Sequence, residues 1–416
     1  MICVHVSYTP LAGAPIRIVN ALNKWTDIKA RLINLNPNIY GERVFEEDLI
    51  WEKDREEALR LIANADIICF HHWMKLDDNG FKINFLNTAK KNCKFIRQFH
   101  SNLDFISGYN DDNKKIILSD NLPKLVTPHA HERSFLNAKI VPFIIPINDE
   151  NYKPIKQDND KPTIFYSYTF NNEGFSSRWD TKGYPEVSLL LEQFKDLANI
   201  KKITNIPFFE CLRIKRNSDI VIDDIITGNY HYTSLEALSQ GKPTLAYLDN
   251  RTQYILRELT GASELPFVNV KMEETKYVLE ELCRDKKLRE QIGDYSRKWM
   301  EKYCSDKDLI KIYKKVYEDI LNGKDISRET PKDANKWLSI DIEDLIWKAR
   351  KENYEALHKD KNNKFALFKI YKDNEYIRLI FFGIKITFKI NEEKINKIAW
   401  WIPVRKWRDK FRNKFK

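Results

Sequence analysis

Apolar residues along this chain recur in two alternating rhythms. Brief apolar runs read as buried strands: Met1 to Tyr8, Ala65 to His71, Lys94 to His100, Leu125 to Pro128, Pro162 to Tyr168, Ile220 to Ile222 and Thr244 to Leu248. Leu32 to Leu35, Ile203 to Phe208 and Glu264 to Val270 add three more. Between them lie stretches with one apolar face, which predict helices over Ile16–Lys24, Lys53–Asn64, Pro185–Leu197, Phe209–Lys215, Glu273–Cys283, Lys287–Tyr303 and Lys307–Leu321. Alternation of this kind predicts an α/β protein with parallel sheets.

The most informative stretch runs from Ser218 to Asp249. A short strand, a polar loop with Gly228, a helix opened by Thr233 and Ser234, a Gly241-Lys242-Pro243 stop and a second strand make one βαβ unit. The loop and helix start offer backbone N–H groups and a positive dipole end, which suit a phosphate. Glu236 lies one turn in, where a carboxylate can accept hydroxyl protons from a ribose; the alternative is an ordinary solvated helix residue.

Leu235-Glu236-Ala237-Leu238-Ser239-Gln240-Gly241-Lys242-Pro243 resembles the Glu-Ala-Met-Ala-x-Gly-x-Pro signature of retaining GT-B glycosyltransferases of the GT4 type. The tail, in its Phe382-Gly383-Ile384-Lys385-Ile386 and its Ile402-Pro403-Val404 followed by basic residues, resembles those of some bacterial surface-polysaccharide transferases. The first resemblance implies an α/β GT-B fold: two Rossmann-like domains with parallel sheets facing a cleft, here with a basic C-terminal extension. It implies that amides near Tyr232, Thr233 and Ser234 hold the diphosphate of a nucleotide-sugar donor, UDP- or GDP-linked, and that Glu236 binds the ribose. Two positions depart from the pattern: Gly228 stands where the family often has a sugar-contacting glutamate, and His231 replaces its loop glycine.

Other residues join by the same resemblance. The loop after the first strand, with Gly13 and Ala14, is similar to the family's first βα loop, which closes over donor and acceptor; Arg17, at the helix start, could face that cleft, but a surface position is expected. Strand ends place His71 and His100 toward a cleft. His100 is the better match to the family's sugar-contacting histidine, with a capped structural residue as the alternative. In the polar loop Thr169–Thr181 and the Lys182-Gly183 that follows, Arg178 and Lys182 match two cations that grip the diphosphate and stabilise charge developing on its oxygens. Asp223-Asp224 is superficially similar to the metal-binding Asp-x-Asp of another glycosyltransferase class, but its place at a strand end makes it cleft-lining or structural. No metal and no cofactor beyond the donor is expected.

The prolines in Ala138–Pro154 suit a hinge. The expected organisation is an N-terminal acceptor domain over residues 1–152, a donor domain over 153–325 whose final helix returns to the first, and an extension over 331–416. With 416 residues, two domains of ordinary size and an appendage fit.

Charge changes the picture only at the end of the chain. Residues 331–416 hold 22 Lys and Arg against 12 Asp and Glu, which accounts for the whole net charge of +10 and leaves the rest balanced. That distribution argues against a nucleic-acid-binding core. The extension reads as a helix over Trp337–Leu357, β-hairpin material over Phe365–Ile390, and a last segment with Trp400, Trp401, Arg405, Lys406, Trp407, Arg408, Phe411 and Arg412. Aromatic residues at helical spacing among cations are the composition of a helix in an anionic membrane interface. A solvated basic tail and an RNA-binding tail are the alternatives.

The six cysteines are scattered without metal or Cys-x-x-Cys spacing, which predicts reduced structural thiols. No leader pattern and no apolar run long enough to span a bilayer is found. The expectation is a cytoplasmic enzyme, peripheral at the inner face of the membrane, transferring a sugar to a lipid-linked or cell-surface glycan. Transfer of a polyol phosphate on the same fold, or a non-catalytic nucleotide-binding membrane scaffold, are the other readings.

Overall fold

The computed structural model describes residues 1–37, 44–101, 103–108, 110–128, 135, 138–156, 159, 161–168, 182–327, 368–372, 376–381 and 384–389. The expected helix over Trp337–Leu357 and the whole terminal segment lie outside them.

Seven parallel strands form the first sheet: β1 (Ile2–Ser7), β2 (Lys29–Asn34), β3 (Leu49–Ile50), β4 (Ile67–His71), β5 (Lys94–Phe99), β6 (Lys124–Val126) and β7 (Lys139–Ile140). Their spatial order is β3-β2-β1-β4-β5-β6-β7. The order reverses between β1 and β4, so the crevice beyond their carboxyl ends is a topological switch point. Side chains alternate along a strand. On β1, Val4 and Val6 join the core made with Ile33, Phe70 and Phe85, while Cys3 joins a different core beneath helices. The helices of this half are α1 (Ala14–Trp25), α2 (Arg55–Asn64), α3 (Phe85–Thr88), α4 (Leu103–Ile106) and α5 (Asp111–Ser119).

The second sheet is also parallel: β8 (Thr163–Ser167), β9 (Asn199–Ile203), β10 (Ile220–Ile222), β11 (Thr244–Ala246) and β12 (Val268–Asn269), in the order β12-β11-β10-β8-β9. Its switch point lies between β8 and β10. Helices α6 (Tyr184–Glu192), α7 (Phe208–Arg216), α8 (Tyr232–Ser239), α9 (Asn250–Thr260), α10 (Met272–Arg284) and α11 (Lys286–Tyr303) accompany it. Gly293 of α11 crosses the turn at Gly241 so closely that a Cβ on Gly293 would stand 2.2 Å from the Gly241 carbonyl oxygen. Only glycine permits that crossing.

The last helix of this part, α12 (Asp306–Leu321), packs against α1 of the first half. Trp25 Nε1 donates to Asp306 Oδ2 at 2.7 Å, Gln98 Nε2 donates to the Tyr313 hydroxyl at 3.0 Å, and that hydroxyl donates to the Pro142 carbonyl at 2.9 Å. Leu309, Ile310, Tyr313, Val316, Tyr317 and Ile320 are its buried face.

The strand expected over Ile203–Phe208 is a correction. The strand ends at Ile203, and Phe208 already belongs to α7. As the edge of its sheet, β9 exposes lysines and has little apolar signal, whereas the apolar Ile206-Pro207-Phe208-Phe209 run starts a helix. Helix α9 was not foreseen. It is bracketed by an Asp249 cap, whose Oδ1 accepts from the Thr252 N–H at 2.7 Å, and by Gly261 at its end.

From Leu338 onward the chain forms a separate compact unit. Its described part is an antiparallel meander of β13 (Phe368–Lys372), β14 (Tyr376–Phe381) and β15 (Ile384–Lys389), which includes the expected hairpin. Among the described residues no helix is long and apolar enough to cross a membrane.

Candidate active site

Three groups of polar side chains gather at the carboxyl ends of the sheets. The first is centred on Asp223, just beyond β10 and fully buried. Lys182 Nζ is 2.5 Å from its Oδ1. The His231 backbone N–H and the Ser234 hydroxyl donate to its Oδ2 at 2.8 and 2.6 Å, and His231 Nδ1 lies 3.3 Å from Oδ1. Burial alone would raise the Asp223 pKa, but the Lys182 ammonium and the neighbouring His231 reverse that and hold it well below the ordinary carboxylate value. Asp223 therefore ties the amino end of α8 to Lys182, which stands directly before α6. Ser167 and Thr233 hydroxyls meet at 3.5 Å beside it. The first-turn amides of a helix carry its positive dipole end; at α8 the Ser234 N–H also donates to the His231 carbonyl at 3.1 Å.

The second group is centred on Glu236, 4% exposed. Arg17 Nη2 lies 2.5 Å from Oε1, and Lys215 Nζ pairs with Oε2. Burial would raise the Glu236 pKa; Lys215 and Arg17 more than offset it and hold the carboxyl below its ordinary value. Arg17 is thus not a surface residue. It reaches from α1 of one half into the other, with its guanidinium 4.3 Å from the Tyr232 ring centroid and 5.0 Å from that of Phe208. The solvated reading of Glu236 fails for the same reason. Two cations around one carboxylate leave the group one net positive charge.

The third group is a histidine chain at the end of β5. His100 Nε2 lies 2.8 Å from His71 Nδ1, and His71 Nε2 lies 2.8 Å from His5 Nδ1. The rings stack with centroids 5.0 and 5.1 Å apart. His100 is the less buried end of the chain, His5 and His71 being buried.

The loop after β1 turns through three consecutive residues with positive φ, Leu11, Ala12 and Gly13, before Ala14 starts α1. A non-glycine residue in that region is uncommon and signals a backbone held by its surroundings.

The two departures from the family signature have structural reasons. At Gly228 φ is +84°, and a Cβ there would stand 3.1 Å from Asp249 Cβ and Oδ2. The Gly228 carbonyl also accepts from the Asp249 N–H and the Thr252 hydroxyl. A glutamate at this position would be strained at that φ and would press on the Asp249 side chain that caps α9. His231, at φ −125° and ψ 179°, is extended, so no glycine is needed there.

The structure brings together Lys182, Tyr232, Thr233, Ser234 and Glu236 around α8, and Gly13 and Ala14 lead into the helix that delivers Arg17. Arg178 and the residues from Trp400 to Arg412 lie outside the described residues. Sequence reasoning missed Lys215, which the α7 pattern offered only as one basic residue among several. It also missed His5 and the link from His71 to His100. All six cysteines are free thiols, yet Cys3 and Cys69 are not scattered: they join the histidine chain, with Cys3 Sγ 3.5 Å from His5 Nε2.

No protein-family model and no curated protein sequence matches the chain. Solved structures do. An alpha-glucosyltransferase in complex with UDP-glucose and DNA containing an abasic site superposes with a TM-score of 0.53 at 11% identity, covering 76% of this chain and 98% of that one. The same kind of enzyme in complex with UDP gives 0.53 at 10% identity, covering 76% and 99%. Sucrose-phosphate synthase from Thermosynechococcus elongatus gives 0.50 at 10% identity, covering 78% and 100%. The fold is GT-B. At these identities the likeness is one of architecture. Because one of these GT-B structures carries DNA, the comparisons lend no support to excluding nucleic acid as a partner.

Proposed function

We propose that this GT-B chain is a glycosyltransferase that moves a sugar from a nucleotide-diphosphate donor, of the UDP class, to a glycan acceptor. The carrying observation is the assembly on α8: a lysine fixed by buried Asp223 at the helix's amino end, and one turn on a buried cluster with an excess positive charge. A departing diphosphate gains charge on its oxygens, and donors held in place stabilise it without reorganising. In this reading Lys182, Arg178 and the amides of Tyr232, Thr233 and Ser234 receive the diphosphate. A carboxylate has more lone pairs than two cations use, so Glu236 can also accept from a ribose hydroxyl. The Gly13–Ala14 loop lies against the donor, and His100 orients the transferred sugar. The acceptor attacks from the face the diphosphate leaves, which retains the anomeric configuration, and a phosphate oxygen takes its proton. The bound UDP and UDP-glucose of the similar structures support the choice of base.

The test is a thermal-shift and donor-hydrolysis panel over UDP, GDP, CDP, ADP and their sugar conjugates. At a hundred times its Kd a ligand adds about 2.7 kcal/mol of stability, so UDP should raise Tm by a few degrees and one UDP-sugar should be hydrolysed slowly. Lys182→Ala should weaken UDP binding at least about tenfold, as expected for losing a charge-assisted contact. A folded protein that responds to none of these ligands would sink the reading.

The acceptor we assign is a lipid-linked or cell-surface glycan met at the cytoplasmic membrane face, through residues 395–416. The tryptophans among cations support this. Deleting that segment should abolish binding to anionic vesicles, and unchanged binding would remove the assignment.

A further inference from the structure

Strands β1 and β4 carry the same short pattern, Cys3-Val4-His5 and Cys69-Phe70-His71. Alternation puts each cysteine and histidine on one face, and the parallel register sets His5 opposite Cys69. The donor atoms of His5, Cys69 and His71 all lie within 4.8 Å of one another, and all three residues are fully buried or nearly so. His5 Nδ1 and His71 Nε2 are 2.8 Å apart, sharing one proton. The other nitrogen of each ring also has a partner: His5 Nε2 faces Cys3 Sγ at 3.5 Å, and His71 Nδ1 faces His100 Nε2 at 2.8 Å. Metal-binding histidines are built this way. One nitrogen meets the ion, and the other is hydrogen-bonded to a group that fixes tautomer and ring orientation.

We propose that His5, Cys69 and His71 bind one d10 transition-metal ion, Zn(II) or Cu(I), in a buried site with two nitrogens and one sulfur. The ion takes the place of the proton between the two rings and displaces the thiol proton of Cys69, so that loading releases protons to solvent. Imidazole and thiolate together select such ions over the oxygen-seeking Mg and Ca. Metal–ligand bonds of about 2.0–2.3 Å need the two ring nitrogens, now 2.8 Å apart, to part slightly and the Cys69 sulfur to come within bonding reach, adjustments that side-chain rotation on two fixed strands can supply. Further polar groups complete the surroundings. The buried Tyr317 hydroxyl of α12 faces the Cys69 sulfur without a well-formed hydrogen bond, and Gln98 Oε1 is 3.9 Å from that sulfur. Loaded, the site staples β1 to β4 at their switch point and orients His100 from behind. It does not depend on the donor assignment.

The test uses the full chain without a polyhistidine tag, grown with added zinc or copper and purified by gel filtration. Elemental analysis should find about one zinc or one copper per chain, and its identity separates the two. Cys69→Ser and His71→Gln should each reduce the metal to background, while Cys304→Ser, at a buried thiol outside the cluster, should retain it. Because a core variant can misfold, Co(II) is also titrated into metal-free wild-type protein. A thiolate-to-cobalt charge-transfer band at one equivalent is expected, and Cys69→Ser should lack it. A folded, reduced protein that holds no metal and gives no such band with Co(II) would overturn the proposal.

Discussion

The two polar assemblies of this molecule lie at comparable places, each at a switch point and each buried, but they follow opposite electrostatic plans. Around α8 the groups are charged: Glu236 between Arg17 and Lys215, and Asp223 beside Lys182. Across β1, β4 and β5 the groups are thiols, imidazoles, a carboxamide and two tyrosines, linked in a neutral chain. A charged cluster tolerates the loss of its counter-charge poorly, because ions left unpaired in low dielectric are costly. A neutral chain loses only hydrogen bonds when cut. The first arrangement suits holding an anionic ligand in one geometry, and the second can exchange a proton for another cation with little rearrangement.

The largest difference should appear when one member is removed from each. Glu236→Gln leaves Arg17 and Lys215 buried without a counter-charge and should destabilise the protein by about 3–5 kcal/mol, read from urea midpoints. The same variant sharpens the comparison in acid. Because the folded-state pKa values of Glu236 and Asp223 are depressed, their contribution is complete above ordinary carboxyl values, roughly 4, and is lost as pH falls below that. Wild-type stability should therefore drop below pH 4 more steeply than that of Glu236→Gln. Equal slopes would mean that the carboxylate is not ionised in the fold.

A smaller effect tests a buried charge that has no direct partner of this kind. Burial lowers the Lys242 pKa to about 8, with Asp219 opposing the shift. Since the folded protein releases this proton before the unfolded one, stability rises with pH between about 8 and the ordinary lysine value near 10.4. Lys242→Met should be more stable than wild type by about 3 kcal/mol at pH 7, with the gap closing as pH approaches 10. A gap independent of pH would point to packing instead.

The smallest effect belongs to the neutral chain. Tyr313→Phe strips Gln98 Nε2 of its acceptor and the Pro142 carbonyl of a donor, for a loss of about 1–2 kcal/mol. A loss as large as that of Glu236→Gln would erase the contrast between the two plans.

What could be read beforehand follows the same division. The βαβ unit from Ser218 to Asp249 was legible because strands, cap and Gly-x-Pro stop are neighbours in sequence. Lys182 was legible because it precedes Gly183. Arg17 was not, since its partner lies 219 positions away and nothing around Arg17 announces it. The repeated Cys-x-His was visible as letters, but it acquires meaning only when β1 and β4 lie side by side in register. Gly228 was recognised as a departure from the family, and its cause, the cap of α9, required a helix the pattern had hidden.

The face of β1 and β4 that bears Cys3, His5, Cys69 and His71 is covered by Tyr313 and Tyr317, on a helix that starts at Asp306. On the ribosome, the first sheet emerges long before its cover. For most of translation those thiols and imidazoles lack this cover, which arrives only when α12 leaves the exit tunnel. Chains stalled before residue 306 should therefore react with thiol reagents at Cys3 and Cys69, while the finished protein should not.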